Sequence, residues 1–298
     1  MTKKILCLLG IFLAIIIGTF LYCDTCCDSC SLMLDGSGTT ATGPLYIKDE
    51  DGTFEYTSND NFNFTHSDYE ILTPVSYEVE DGVSKLFAYL GVYPSKIIDI
   101  TGYYSSDETN NSAFPNLGFA RAAALKNYLV SKGISSKQIN IKGRLKDDLE
   151  NKNGTLFGPL GFRVRTPSKL FLIKQEQDVK ALRDKLKESP IILYFEPAQA
   201  KIDLTEKQRQ EIADISVYLD KVDGAVCIIT GHTDNTGGRA TNMRLGQNRA
   251  DFVKNYLIRN GIPPEKINAT SEGPDSPIAD NSTEDGRAEN RRTVITIN

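Results

Sequence analysis

Histidine is scarce in this sequence, since only His66 and His232 occur among 298 residues. Neither H-E-x-x-H nor G-x-S-x-G is present, although these motifs mark many metalloproteases and many serine hydrolases. Histidine is also the side chain that most often transfers protons in catalysis. These absences argue against a hydrolase, and we expect a protein that is not an enzyme.

Long basic runs are missing as well. The chain has 34 Lys and Arg against 39 Asp and Glu, for a net charge of -5. Proteins that follow a phosphate backbone carry clustered Lys and Arg. We therefore expect no nucleic-acid partner.

The cysteines do not match a known metal or haem motif. Cys23, Cys26, Cys27 and Cys30 form two abutting C-x-x-C pairs, with no loop between them to close a tetrahedron around zinc. No histidine follows either pair, as covalent haem attachment requires. Disulfides in an oxidising compartment are the expected use of these thiols, with metal binding left open as an alternative. We expect no cofactor.

A long apolar run does occur near the N-terminus. It covers residues 5–22 after Lys3 and Lys4, and roughly 20 apolar residues cross a hydrocarbon core as a helix. Positive charge before the run and Asp24 after it place the N-terminus in the cytoplasm. We predict that residues 1–22 are an uncleaved transmembrane helix, which leaves the folded part in the periplasm.

Two other fates of this N-terminal run stay open. A cleaved signal has a shorter apolar stretch and small residues at its exit, whereas this run ends in Leu21-Tyr22. Lipidation of Cys23 would also favour small residues before the cysteine.

An internal repeat organises the rest of the chain. Residues 117–134 (LGFARAAALKNYLVSKGI) match residues 245–262 (LGQNRADFVKNYLIRNGI), and the dipeptide Thr-Gly precedes each copy at residues 101–102 and 230–231. Self-similarity at a fixed separation is the signature of duplicated structural units. We therefore predict two copies of one fold.

Hydrophobic periodicity predicts alternating strands and helices in both copies. The first copy reads as strands at 61–65, 96–102, 138–143 and 162–165, with helices at 75–90 and 116–131. The second reads as strands at 191–195, 225–231, 266–270 and 293–297, with helices at 205–219, 238–260 and 283–290. Such elements pack as a mixed sheet with helices on one face. The expected fold class is α+β, with two tandem βαβαβ-type modules.

These patterns predict five segments along the chain. They are a membrane anchor (1–22), a Cys-rich segment with a flexible linker (23–58), a first module (59–167), a connector helix (168–187) and a second module (188–298).

Three stretches of the second module carry a family resemblance. They are TGHTDNTG at 230–237, RLGQNRA at 244–250 and PIADNSTEDGRAENRR at 277–292. Together they resemble the OmpA-like domain of OmpA proteins, peptidoglycan-associated lipoproteins and MotB proteins. The resemblance spans residues 188–298 and implies non-covalent binding of the peptidoglycan stem peptide, mainly through diaminopimelate.

The resemblance also implies a set of ligand-binding residues. In the family, the aspartate after His-Thr and the arginine of the Arg-Ala pair hold charged groups of the ligand. A second arginine lies near the ligand, and a loop and a polar neighbour line the pocket. The matching residues here are Asp234, Arg249, Arg291, Thr236, Gly237 and Asn242.

Physical reasoning supports the same pair of charges. The side chain of diaminopimelate ends in an ammonium and a carboxylate on one carbon, so its receptor needs a fixed anion and a fixed cation. Asp234 follows a predicted strand and Arg249 lies in the next helix, so a strand-loop-helix connection brings them together.

The first copy lacks most of this set. It keeps Arg121, but Ser105 stands where the second copy has its aspartate, and Phe114 stands where the second copy has Asn242. A lone arginine would leave the ammonium of the ligand unpaired. We predict a degenerate module with a structural or protein-binding role, in which Asp107 or Glu108 is an open substitute for the missing anion.

The predicted function is that of a membrane-anchored envelope protein tethered to peptidoglycan. The alternative is an envelope scaffold or motor-complex component whose residues 60–165 bind a protein partner, with wall binding secondary.

Overall fold

A computed structural model describes residues 43–195 and 202–298. Within these residues, no helix combines the length and the apolar character needed to span a bilayer. The predicted anchor at 1–22 and the four clustered cysteines lie outside the described residues, and so does the rest of the predicted linker up to residue 42.

The described chain contains both strands and helices in each half. The strands are β1 (Leu45–Lys48), β2 (Glu55–Ser58), β3 (Phe64–Thr65), β4 (Ile97–Tyr104), β5 (Ile139–Leu145), β6 (Asn151–Lys152), β7 (Thr155–Leu156), β8 (Leu160–Arg165), β9 (Ile191–Tyr194), β10 (Cys227–His232), β11 (Ile267–Gly273) and β12 (Arg292–Ile297). The α-helices are α1 (Tyr77–Val92), α2 (Leu117–Ser131), α3 (Lys169–Glu188), α4 (Glu206–Lys221), α5 (Arg239–Arg259) and α6 (Glu284–Asn290).

Helix starts follow the local capping chemistry. Thr205 and Gln208 form a capping box at the start of α4, in which each side chain accepts the backbone N–H of the other residue. Asn116 caps α2 and Thr283 caps α6 through their side chains. At the other end of α5, Gly261 has φ +89°, a left-handed conformation that suits glycine.

Both main sheets are mixed, which confirms the predicted sheet type. The C-terminal sheet has the order β11-β10-β12-β9, with β10 parallel to β11 and antiparallel to β12. The N-terminal sheet has the order β5-β4-β8, with β4 parallel to β5 and antiparallel to β8. In each half, the strand before the helix (β4 or β10) therefore pairs in parallel with the next strand (β5 or β11). It pairs antiparallel with the last strand (β8 or β12).

The first predicted strand of the N-terminal half differs from the structure. Of residues 61–65 only Phe64 and Thr65 are in a strand, and this strand pairs with β7 in a small separate sheet. The edge beside β8 is taken instead by the end of the β1–β2 hairpin, where Asp49 forms a parallel bridge with Val164. The two halves thus differ at this sheet edge.

The hairpin itself corrects the predicted linker, which was wrong for residues 45–58. Leu45 and Ile47 are 0% and 1% exposed and belong to the core of the N-terminal half. Asp49, which follows β1 and is also 0% exposed, accepts from Lys96 Nζ at 2.6 Å. The alternation of apolar and polar residues in Leu45-Tyr46-Ile47-Lys48 was the sequence signal for this strand.

The Asp49–Lys96 pair predicts acid-sensitive stability. Burial alone would raise the pKa of Asp49, but hydrogen bonds from Lys96, Tyr89 and Thr53 lower it from 3.8 to about 2. Because the folded pKa lies below the unfolded value, this stabilisation is present above pH ~4 and is lost as the pH falls through about 2. Acidification through this window should lower the free energy of unfolding of both proteins. We expect the decrease to be about 2 kcal/mol larger for the wild type than for Asp49→Asn. Urea unfolding at several pH values measures this difference, and parallel pH profiles would contradict it.

The two halves pack against each other. Phe114 and Ala120 of the N-terminal half belong to the same buried cluster as Ile212 of α4. The backbone N–H of Ala113 donates to Asn260 Oδ1 at 2.7 Å, and Asn127 Nδ2 donates to the carbonyl of Gly261 at 2.7 Å. Phe114, which aligns with Asn242 in the predicted repeat, is 1% exposed and contributes to this shared core.

Candidate ligand-binding site

A close helix–strand contact positions the candidate site at the end of β10. A Cβ atom added to Gly231 would lie 1.9 Å from the carbonyl oxygen of Gly246 in α5, so neither the strand nor the helix has room for a larger residue here. This contact holds α5 against β10. Arg249 lies about one helical turn beyond Gly246, and its Nη1 donates to the carbonyl of His232 at 3.2 Å.

The loop between β10 and α5 holds the carboxylate of Asp234. Its Oδ1 accepts from the backbone N–H of Thr236 at 2.9 Å, and its side chain is 13% exposed. Asn242 Nδ2 donates to the carbonyls of Asp234 and Thr236 at 3.2 and 3.1 Å, which fixes the loop to the first turn of α5. Gly237 completes the turn with φ +91°.

Arg291 is the direct ionic partner of Asp234. Its Nη1 lies 3.0 Å from Asp234 Oδ2, and its Nη2 lies 3.0 Å from Glu284 Oε1. Burial would raise the pKa of Asp234, but hydrogen bonds from Thr236 and Arg291 outweigh it and keep the pKa below its ordinary value. Asp234 is therefore ionised at neutral pH.

Arg249 forms the third charge of the site. Burial lowers its pKa, the neighbouring Arg291 lowers it further, and Asp234 opposes both effects. Its guanidinium lies 5.9 Å from the ring centroid of Phe195. Within residues 43–195 and 202–298, its one hydrogen bond is to the carbonyl of His232, so its remaining donors have no partner there.

The structure therefore brings the six sequence-predicted residues to one strand end, but it changes their pairing. The sequence predicted an anion and a cation formed by Asp234 and Arg249. Asp234 instead bonds to Arg291, and Arg249 interacts with both charges without a direct bond to Asp234. The arrangement is one half-buried carboxylate with two guanidiniums around it.

Sequence reasoning missed Glu284. This residue lies in the first turn of α6, where acidic side chains are favoured, and it holds both Arg291 and Arg287. Asn290, at the end of the same helix, accepts from the backbone N–H groups of Ile278 and Ala279 at 2.7 and 3.1 Å. The residue before Arg291 thus anchors the neighbouring loop.

A cleft of about 310 Å³ opens beside these charges. Its lining consists of Tyr194, Phe195, Ala288, Glu289 and Arg291. An aromatic wall beside an arginine suits a ligand with an aliphatic chain and a charged end.

His232 occupies a packed position at the end of β10. The residue is 5% exposed, and its pKa is lowered by burial and by the nearby Arg292. Its Nδ1 has no hydrogen-bond partner in the described part of the chain, and the carboxylate of Glu272 is 3.9 Å away. Arg292 is also buried and donates to the carbonyl of Ser276 at 3.1 Å.

Comparison with known proteins identifies the class of this domain. Residues 194–291 match the model of the OmpA family, so the C-terminal part of the chain is an OmpA-family domain. This confirms the resemblance found in the sequence.

Three curated relatives illustrate the similarity. The probable lipoprotein YiaD of Escherichia coli is 41% identical over 86 residues, which are 29% of this chain and 39% of that protein. The peptidoglycan-associated lipoprotein of Buchnera aphidicola is 36% identical over 92 residues, or 31% and 53% of the two chains. The peptidoglycan-binding protein ArfA of Mycobacterium bovis is 43% identical over 70 residues, or 24% and 22%. The chain thus spans between about a fifth and about half of the length of these relatives.

Two solved structures are similar to part of this chain. The peptidoglycan-associated lipoprotein of Burkholderia pseudomallei is 27% identical with a TM-score of 0.31, covering 36% of this chain and 89% of its own. The C-terminal domain of Helicobacter pylori MotB is 28% identical with a TM-score of 0.31, covering 37% and 84%.

Proposed function

We propose that the C-terminal module binds the stem peptide of peptidoglycan non-covalently and so tethers the protein to the cell wall. The observation that carries the proposal is the ionised, half-buried carboxylate of Asp234, with the guanidiniums of Arg291 and Arg249 around it. Relatives named as peptidoglycan-associated and peptidoglycan-binding proteins support this assignment. It is a binding function and requires no catalytic group.

Diaminopimelate is the proposed point of recognition. Its ammonium pairs with Asp234, and its carboxylate accepts hydrogen bonds from the Arg249 donors that have no partner in the described part of the chain. The planar guanidinium of Arg249 can donate two parallel hydrogen bonds. Arg291 keeps the carboxylate of Asp234 in place and adds a second cation for the carboxylate of the ligand. Thr236, Gly237 and Asn242 shape the loop around it.

Binding to two types of cell wall tests this proposal. The full chain is expected to cosediment with sacculi that contain diaminopimelate, and much less with sacculi that contain lysine at the same position. Lysine has the ammonium but lacks the second carboxylate, so it would offer no acceptor to the guanidinium of Arg249. Free diaminopimelate should release the bound protein, and free lysine should not. Equal retention on both wall types would refute the proposed ligand.

We also propose that the protein is an envelope protein anchored by residues 1–22 with its folded part in the periplasm. The apolar run and the flanking charges support an uncleaved helix, and relatives named as lipoproteins keep lipidation at Cys23 as the alternative. Mass spectrometry of the mature N-terminus separates intact Met1 from an acylated Cys23 or a new terminus.

For the domain arrangement, we propose that the N-terminal half is a degenerate second copy of the OmpA-like module. The shared pairing pattern of β4, β5 and β8 with that of β10, β11 and β12 supports the duplication. The module would begin with the hairpin near residue 45, and α3 would connect the copies.

A scaffold function is the second candidate, and exposed apolar residues on the N-terminal half favour it. In and directly after α1, Tyr77, Phe87, Val92 and Tyr93 are 84%, 46%, 71% and 42% exposed. Exposed apolar side chains of this size are frequent in protein interfaces. Crosslinking from residues 60–165 that recovers wall material and no protein would count against this candidate.

A further inference from the structure

Arg121 in the N-terminal half occupies the place that Arg249 has in the C-terminal half. Arg121 Nη1 donates to the carbonyl of Tyr103 at 2.9 Å, and Arg249 Nη1 donates to the carbonyl of His232 at 3.2 Å. Tyr103 and His232 follow the repeated Thr-Gly dipeptide at the same distance. Each arginine therefore reaches from its helix to the backbone carbonyl at the same position of the preceding strand.

Their remaining donors differ. Arg121 is 0% exposed, and its guanidinium forms a two-pronged pair with Glu108, in which Nη1 lies 3.0 Å from Oε2 and Nη2 bonds to Oε1. Its Nε donates to the carbonyl of Asp68 at 2.9 Å. Bidentate pairs of this kind are among the strongest polar contacts in proteins.

The carboxylate of Glu108 is saturated by this site. Besides Arg121, it accepts the backbone N–H of Ser67 at 2.9 Å and that of Ser105 at 3.0 Å, and its side chain is 1% exposed. Burial would raise the pKa of Glu108, but these hydrogen bonds outweigh it and lower the pKa. The carboxylate is bound as an external anion would be bound, by one guanidinium and two amides.

The segment before α1 closes over this pair. Ser67 lies in the left-handed region with φ +60°, which non-glycine residues rarely adopt. The backbone N–H of Thr109 donates to Ser67 Oγ at 3.0 Å, so the loops around residues 67 and 108 hold each other. Arg121 is 0% exposed among the described residues, so its guanidinium is not accessible to a ligand from solvent in this arrangement.

We propose that the N-terminal module contains a carboxylate-binding site that is permanently occupied by the side chain of Glu108. The inference rests on the proposed function of the C-terminal module only for the equivalence of the two arginines. Glu108 takes the position of a ligand carboxylate on Arg121, not the position of the missing aspartate. The N-terminal module therefore takes up no wall peptide, and of the two described modules only the C-terminal one binds the wall.

Rescue by a small carboxylate tests this proposal. In the full chain, Glu108→Ala leaves the guanidinium of Arg121 buried and unpaired, and we expect its Tm to fall by on the order of 10 °C. Acetate fits the vacated place, so at a tenfold excess over its dissociation constant it should raise the Tm of this variant by about 3 °C relative to chloride of equal ionic strength. The wild type should show no such acetate-specific shift.

Two variants control for general salt effects and for loss of the site. Glu55→Ala removes an exposed carboxylate paired with Lys48 and should show no acetate response. The double variant Glu108→Ala/Arg121→Met lacks the guanidinium and should also show none. Equal acetate shifts in these proteins and in Glu108→Ala would overturn the proposal.

A folding failure also gives an answer. If Glu108→Ala is unfolded in chloride, recovery of its circular dichroism signal on refolding in acetate supports the carboxylate site, and failure in both salts overturns it. This readout does not use peptidoglycan. Its failure is therefore distinguishable from a failure of wall binding by the C-terminal module.

Discussion

Changing Asp234 to asparagine is expected to weaken binding to diaminopimelate-type peptidoglycan by roughly 30- to 150-fold, or about 2–3 kcal/mol. The amide keeps the shape of the side chain but loses the charge that would pair with the ammonium of the ligand. Arg249→Met should cause a loss of similar size, because it removes the donors for the carboxylate of the ligand. Sedimentation with purified sacculi, or titration with muropeptides, measures both effects.

A nearby ion pair provides the matched control. Arg239 and Asp275 form an exposed pair at the start of α5, close in sequence to the binding loop. Asp275→Asn changes the net charge by the same amount as Asp234→Asn, and we expect binding within about twofold of the wild type because exposed pairs contribute little. Undiminished binding by both Asp234→Asn and Arg249→Met, with the fold intact, would refute the proposed site.

Replacing Lys126 by methionine is expected to destabilise the whole described unit by about 3–5 kcal/mol. Lys126 Nζ lies 2.6 Å from Asp220 Oδ2, and the two side chains, one from α2 and one from α4, are 2% and 9% exposed. The substitution leaves the carboxylate of Asp220 buried without its partner. Lys221 is adjacent, but its Nζ donates to the carbonyls of Lys137 and Ile139 and is already engaged.

Thermal unfolding of the Lys126→Met variant measures this loss, with a Tm expected to fall by roughly 6–20 °C for a unit of this size. Because the pair joins the two halves, both should unfold in one shifted transition. The double variant Lys126→Met/Asp220→Leu should recover most of the stability, since an apolar replacement removes the unpaired charge. Lys85→Met, which breaks an exposed pair with Asp81 within α1, should change stability by no more than about 0.5 kcal/mol.

Elements were predictable wherever their signal lies in neighbouring residues. The helix beginning after Thr205 follows from a capping residue and the side chain three positions later, and the end of α5 follows from Asn260-Gly261. The hairpin at residues 45–58 was missed because its strands are only four residues long and follow a Gly- and Thr-rich stretch. Its place in the fold depends on the burial of Leu45 and Ile47 in the N-terminal core and on the Asp49–Lys96 pair, which are contacts between distant parts of the chain.

The candidate site shows the same difference between local signals and contacts between distant residues. Its residues were found in the sequence because the strand-loop-helix connection keeps Asp234 and Arg249 close along the chain. Arg291 was also found, through the family resemblance, but its bond to Asp234 was not, and Glu284 was missed, because both residues reach the site from the far end of the domain. In the N-terminal half, the sequence left Glu108 as a replacement for the missing anion. The structure pairs it with Arg121 instead, which neutralises the cation.

The sequence by itself determined the strands and helices of the C-terminal domain and the family of that domain, because these depend on local periodicity and on motifs within a few residues. Only the tertiary structure decided which charged side chains form ion pairs with each other. An ion pair forms where folding brings two oppositely charged side chains within about 4 Å. The number of residues between them in the sequence does not give that distance. Among the described residues, Arg121 bonds to a carboxylate and Arg249 bonds to a backbone carbonyl, although the two arginines lie in similar local sequences.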